Sequence, residues 1–286
     1  MAFGLVAVVL WSSYAALMVA MREVPAFLLL AIAFSSASLV MLARRLVLGM
    51  GFRDLVAIPR ATLALGVMGL FGTNALFALA LRTGVDTVSA TIINYSWPVL
   101  MVLVVHALRI ARPTPWDGLA LTAGFAGVVV AALKEGTFIP HPGLILSFTS
   151  ALLWAAYSGA RRLVPPGPTD ALAAFAVVSA ALSWGCHFAF EAPTLPALSD
   201  LALIVAVGVV PLGIGNAFWD VAARHADPIL LAGLSFLEPI MATWLLLLYL
   251  GTALKAADLI SLGLVVGGVG LGILGDFRRR AGAPVP

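Results

Sequence analysis

The chain has one cysteine, Cys186, and only 10% charged residues in 286. A single cysteine excludes an internal disulfide and any CxxC metal or redox site. So little charge excludes an ordinary soluble domain, in which about a quarter of residues are charged. Catalytic and nucleotide motifs are missing too. Without a GxxxxGK[ST] run there is no P-loop, which argues against ATP drive. HExxH, a Ser/His pair with an oxyanion loop and a mid-span Asp dyad are all absent, and His106 and His187 fall near opposite ends of their runs. An enzyme is therefore not expected, nor any cofactor or metal. No linker is long enough for a soluble domain. The first apolar run lacks a basic n-region, so it is expected to be a span and not a cleaved signal.

What is present is hydrocarbon. The chain is 62% apolar with a mean hydropathy of +1.10. Runs of roughly 18 to 23 residues recur, each long enough to cross a ~30 Å hydrocarbon core as a helix. They predict ten spans, at 2–21, 26–47, 61–82, 87–108, 116–133, 143–163, 170–190, 200–224, 228–250 and 256–275. The fold class is an all-α polytopic membrane protein, with the bilayer as its partner. Continuous runs do not suit a β-barrel, whose strands alternate. Loop punctuation falls between the runs, including Asp86, "RPTP" at 112–115, "PPGPTD" at 165–170 and Asp227. If the N-terminus is cytoplasmic, twelve arginines (44, 45, 53, 60, 109, 112, 161, 162, 224, 278, 279 and 280) lie inside. Arg22, Arg82, Lys134 and Lys255 lie outside. That bias predicts both termini in the cytoplasm. It also explains the net charge of +3 without a nucleic-acid partner.

The two halves resemble each other. "LWSSY" (Leu10–Tyr14) matches "LWAAY" (Leu153–Tyr157) at an offset of 143. At an offset of 141, Phe77 matches Phe218, Asp86 matches Asp227, Pro98 matches Pro239, Asp117 matches Asp258, and "GV" at 127–128 matches "GV" at 268–269. Five spans per half, an odd number, would insert the second half upside down. The expected organisation is a five-helix repeat at 1–135, an inverted five-helix repeat at 136–276, and a cytoplasmic tail at 277–286.

Polar and aromatic groups gather near mid-span. Span 1 carries Trp11 and Tyr14, span 3 Asn74 and Phe77, span 4 Asn94, Tyr95 and Trp97, and span 6 Trp154 and Tyr157. Span 8 carries Asn216, Trp219 and Asp220, and span 9 Ser235 and Glu238. On span 4, Ala90, Asn94, Trp97 and Met101 share a helix face, and their matches on span 9 are Leu231, Ser235, Glu238 and Ala242. Interfacial aromatic belts do not explain tryptophans at mid-span. The candidate ligand-binding residues are Trp11, Tyr14, Asn74, Phe77, Asn94, Tyr95, Trp97, Trp154, Tyr157, Asn216, Ser235 and Glu238. Rings around a midplane cavity suit a planar aromatic ligand. Packing of the same rings in a core is the bland alternative for each of them.

Pro98, Pro211 and Pro239 each remove a helical hydrogen bond and are candidate hinges or gates; a fixed kink would look the same. Glu238 has no lysine or arginine at its depth, so it must be protonated, hydrated or hydrogen-bonded, with Ser235 or Asn94 as candidate partners. Asp220 has Arg224 one turn on, which predicts a local ion pair. Spans 5 and 10 are nearly bare of polar side chains. Their small residues, Ala123, Gly127 and Ala131 against Gly263, Gly267, Gly268 and Gly272, predict close packing within the monomer or across a homodimer.

These residues carry a resemblance over residues 2–275. The WxxY near the start of each half, the Pro98 segment and Glu238–Pro239 resemble the EamA branch of the drug/metabolite transporter superfamily. The run "INYSWPVL" at 93–100 is similar to the bacterial aromatic amino acid exporters of the YddG type. The resemblance implies a multi-pass protein of the inner membrane that exports aromatic amino acids and flat aromatic cations. Trp97 stands at the match of Glu238, so a symmetric two-carboxylate site is absent. Alternatives are a drug or nucleotide-sugar carrier of the same superfamily, a channel or scramblase, and a receptor without flux.

Overall fold

The computed structural model describes residues 1–21, 24–134, 136–165, 171–250 and 255–281. Arg22, most of "PPGPTD", the side chains of Arg279 and Arg280 and the tail past Ala281 lie outside the described residues. Every regular element among the described residues is helical. A backbone in hydrocarbon must satisfy its own polar groups, and a helix does so within one segment.

The helices are α1 (Ala2–Ala20), α2 (Ala26–Val47), α3 (Arg60–Arg82), α4 (Thr87–Ala107) and α5 (Pro115–Leu133). They continue as α6 (Leu144–Ala160), α7 (Ala171–Phe190), α8 (Leu198–His225), α9 (Pro228–Ser235 then Leu237–Leu250) and α10 (Ala256–Ala281). A single turn, Arg53–Val56, lies between α2 and α3. Eight of these helices are long and apolar enough to cross a membrane, while α6 and the described side chains of α1 form shorter apolar segments. The chain is therefore a polytopic helical membrane protein. Helix ends fall close to the expected spans. The clearest departure is α10, which runs past residue 275 to Ala281. Its last turns carry Arg278 to Arg280, and cations are favoured at a helix C-terminus.

Positions 141 residues apart do the same local work. Asp86 caps the start of α4 by accepting from the Ser89 N–H at 2.9 Å. Asp227 caps α9 by accepting from Leu230 N–H at 2.8 Å. Asp117 accepts from the backbone N–H of Thr114 at 2.6 Å, and Asp258 from that of Lys255 at 2.8 Å. Each cap satisfies N–H groups that a helix start leaves orphaned. The helix interiors deviate in step as well. α3 widens into a π-helix at Met68–Gly72 and α8 at Gly208–Gly215. α4 breaks after Asn94 and α9 after Ser235.

α5 and α10 pack on each other through their small residues. A methyl on Gly268 would lie 2.7 Å from the Ala120 carbonyl oxygen, and Ser261 Oγ donates to Gly127 O at 2.7 Å. Lys134 Nζ meets Asp258 Oδ1 at 2.6 Å to close one end. Gly263 and Gly267 face open space, so the homodimer expectation rests on that outer face alone.

Candidate functional site

Helices α3, α4 and α6 form one group around the centre, and α1, α8 and α9 another. Four buried tryptophans from four helices join the groups: Trp11 of α1, Trp97 of α4, Trp154 of α6 and Trp219 of α8. Ring centroids are 4.8 Å apart for Trp11–Trp219, 5.5 Å for Trp11–Trp154 and 5.5 Å for Trp97–Trp219. Trp97 stands edge-on, at 85° to Trp219 and 87° to Trp154. Such edge-to-face contacts stabilise beyond the buried area, by about 0.5–1.5 kcal/mol each.

The fold satisfies the indole N–H groups of Trp219 and Trp11. Trp219 Nε1 donates to Ser158 Oγ at 3.0 Å. Trp11 Nε1 donates to Pro211 O at 3.2 Å and to Asn216 Oδ1 at 3.1 Å. The widened turn of α8 leaves that carbonyl accessible, and Gly215 leaves the room. A methyl there would sit 3.0 Å from Trp11 Nε1.

On the side of the quartet where α1 begins, the two groups are locked by charge. Asp220 Oδ1 accepts from Tyr157 Oη at 2.8 Å and from Arg161 Nε at 2.6 Å. Arg224 Nε lies 3.2 Å from Asp220 Oδ2. The expected Asp220–Arg224 pair is thus present, inside a larger network. Arg162 adds bonds to the carbonyls of Ala223 at 3.2 Å and Ala226 at 2.5 Å. Burial lowers the Arg162 pKa and nearby Asp227 opposes that shift. An arginine stays charged through such a change.

On the other side the residues are only half-buried. Tyr14, Asn74, Phe77, Asn94, Tyr95, Glu238 and Pro239 all fall in this class, near mid-span. Tyr95 hydrogen-bonds the Glu238 carboxyl, and Tyr14 lies close enough to feel its charge. The break in α9 explains the pairing of Glu238 with Pro239. Both fall in the first turn of Leu237–Leu250. There the helix dipole favours a carboxylate, and proline removes no intrahelical bond. Pro98 likewise lies in the first turn of Trp97–Ala107, while Pro211 lies inside the π-helix of α8.

Several candidate residues serve the scaffold. Asn94 Nδ2 donates to Ser150 Oγ at 3.0 Å, and Ser150 Oγ donates to Thr73 O at 2.9 Å, tying α4, α6 and α3 together. Asn74 Nδ2 returns to Leu70 O at 2.7 Å. Ser235 is fully buried and donates to Ala232 O at 2.6 Å. The hydrogen-bond partner of Glu238 is Tyr95, in place of the expected Ser235 or Asn94. Sequence reasoning omits Trp219 and Arg161 from the site. The signal for Trp219 is its place beside Asn216 and Asp220. Among the described residues no group of His, Cys, Asp and Glu could hold a metal ion.

No family model matches the chain. A curated relative from Ancylobacter novellus, "Aromatic amino acid exporter YddG", is 33% identical over 276 residues, 95% of this chain and 96% of that protein. Proteins of the same name from Escherichia coli strain K12 and Salmonella typhimurium are 24% and 25% identical, each over 88% of this chain and 89% of their own length. A solved crystal structure superposes with a TM-score of 0.90 at 31% identity, covering 98% of both chains. With such identity sustained along nearly all of both sequences, this chain belongs to the YddG family.

Proposed function

We propose that this chain exports aromatic amino acids and related flat aromatic compounds across a bacterial inner membrane. It spans the bilayer ten times, as two inverted five-helix repeats with both termini cytoplasmic. The ligand cleft of this reading is put at mid-span, and what supports it is the meeting of Tyr95 with Glu238 beside Tyr14. Trp11 and Trp97, which share helices with Tyr14 and Tyr95, belong to the packed cluster of four tryptophans. An aromatic side chain stacks against rings such as Trp97, while its α-ammonium meets the Glu238 carboxylate and the phenol faces. The amide nitrogens of Asn74 and Asn94 are engaged by the scaffold, so their amide oxygens are the polar partners offered to the rest of the amino acid.

Transport follows from which end is closed. The charged lock around Asp220 joins α6 to α8 on the side where α1 begins, which the arginine bias makes the cytoplasm. On this reading the present conformation is closed toward the cytoplasm. Rocking of α3, α4 and α6 against α1, α8 and α9 would open that side, with Pro98, Pro211 and Pro239 shaping the bends.

Purified protein in proteoliposomes should show saturable uptake of radiolabelled tryptophan. Trp97→Ala should weaken apparent affinity about tenfold while leaving the protein folded, as expected for the loss of a few ring contacts. Unaltered affinity in a folded Trp97→Ala variant removes Trp97 from the site. Folded wild-type protein without tryptophan flux refutes the substrate assignment. Glu238→Gln in the same assay, with and without a pH gradient, separates two roles. Flux driven by the gradient and lost in the variant makes Glu238 a proton carrier. Flux indifferent to the gradient and retained in the variant makes it a polar contact in a facilitator.

A further inference from the structure

An apolar cavity of about 690 Å³ lies away from the central cleft, between α4 and α5. Val102, Leu103, Leu121 and Phe125 form its walls, with Pro113 and Gly118 at one end. It faces outward from the bundle, since Leu103 and Leu119 beside it are 58% and 55% exposed. A groove on this surface meets lipid in a membrane.

The end of the groove near Pro113 is cationic. Arg109 and Arg112 are exposed in the loop that leads into Pro113. Arg278 lies 4.7 Å over the ring of Trp116, next to the lining residue Pro115. The nearby carboxylate of Asp117 is buried and engaged in capping Thr114.

Arg109 also occupies an unusual backbone state. Left-handed residues follow three helices: Gly49 at φ 65°, Gly84 at φ 84° and Arg109 at φ 56°. The first two are glycine, which adopts this conformation freely. Arg109 closes α4 in the same manner, donating its N–H to His106 O at 3.0 Å. A non-glycine residue is uncommon there, and the turn holds the Arg109 backbone in a fixed place at the end of α4.

We propose that the groove binds an anionic phospholipid. One acyl chain lies against Val102, Leu121 and Phe125, and the phosphate is held by Arg109 and Arg112. Guanidinium groups bind phosphate through paired N–H donors, and juxtamembrane arginines attract anionic headgroups. The proposal does not depend on what the central cleft carries.

Native mass spectrometry of the purified protein, given equal phosphatidylglycerol and phosphatidylcholine, tests it. The wild type should retain phosphatidylglycerol in preference. Arg109→Gln with Arg112→Gln should lower that preference roughly fivefold per arginine. Arg60→Gln, an exposed arginine elsewhere, should leave it unchanged. A methyl on Gly118 would meet nothing within 4 Å, so the side chain of Gly118→Phe starts in open space at the groove. That variant should lose the retained lipid at an unchanged melting temperature. Equal retention of the two lipids by the wild type overturns the proposal. So does a preference that survives the double variant, or one that Arg60→Gln lowers equally, which would mark a diffuse surface field. A dimer that Gly118→Phe breaks, with no lipid retained, would make the groove an interface between copies and also overturn it.

Discussion

Tyr14 and Tyr157 hold matching places in the two halves of the sequence, yet one is half-buried beside the Glu238 carboxyl and the other is sealed against a salt bridge. Tyr157 donates to Asp220 at 2.8 Å and has no exposed surface. Tyr14 is half-buried and close enough to Glu238 to feel its charge. The partners differ because positions 141 or 143 residues apart keep similar backbone features and carry different side chains. Leu79 stands at the match of Asp220, and Met18 at the match of Arg161. The caps, π-turns and helix breaks recur at both places. The ion pair occurs at one. Similar backbone features thus carry a charged lock at Asp220 and apolar residues at the matching places.

The largest way to break this comparison is to remove the charge. Asp220→Ala leaves Arg161 buried without its carboxylate, at a cost of about 3–5 kcal/mol. The melting temperature in detergent should fall by several degrees. A cysteine introduced by Ser158→Cys in that background should become more reactive toward a polar thiol reagent than in the parent. Leu79→Ala, at the matching place, should change stability by no more than about 1 kcal/mol, because Leu79 is 36% exposed. Equal losses in the two variants would mean that both sides are held alike.

A smaller effect separates the tyrosines. Tyr157→Phe removes a hydrogen bond to a buried charge, worth about 1.5–3 kcal/mol. Tyr14→Phe keeps the ring and removes a hydroxyl from a half-buried side chain. It should leave the melting temperature nearly unchanged and alter tryptophan uptake instead. The comparison sharpens if Tyr157→Phe lowers stability while Tyr14→Phe lowers apparent affinity. It collapses if both variants lower the same quantity.

The helices are legible in the sequence because apolar run length and loop punctuation are local signals, and a bilayer enforces both. Asp86 and Asp227 read as loop markers and prove to be the caps that start α4 and α9. Trp11, Trp97 and Trp154 are legible as a cluster because three mid-span rings in matching segments have few other places to go. Arg161 is not. It reads as one of twelve basic residues at membrane ends, and its burial emerges only when α6 is seen beside α8. Asn216 reads as a ligand contact, whereas its amide oxygen accepts from Trp11. A π-turn leaves no composition signal, so the geometry that brings Trp11, Pro211 and Asn216 together is invisible until the backbone is seen.

The smallest effect comes from Asn94 and Ser235, which match at an offset of 141 and share the helix face that carries Trp97 and Glu238. That face suggests equal roles. Their bonds differ. Ser235 satisfies itself three residues back on its own helix, at Ala232 O. A short hydroxyl next to a helical carbonyl takes this local partner in preference to a distant one. Asn94 is long enough to cross to α6, where Ser150 passes the link on to α3. Ser235→Ala should therefore shift stability by no more than about 0.5–1 kcal/mol and leave tryptophan uptake as it was. Asn94→Ala leaves the buried Ser150 without one of its partners and should cost about 1–2 kcal/mol, with a change in uptake because α4 loses its tie beside Tyr95. A pair of melting curves and one uptake assay decide the matter. A large uptake defect in Ser235→Ala would mean that the serine turns outward to the ligand during the cycle, and the asymmetry between the two halves would then hold for one conformation only.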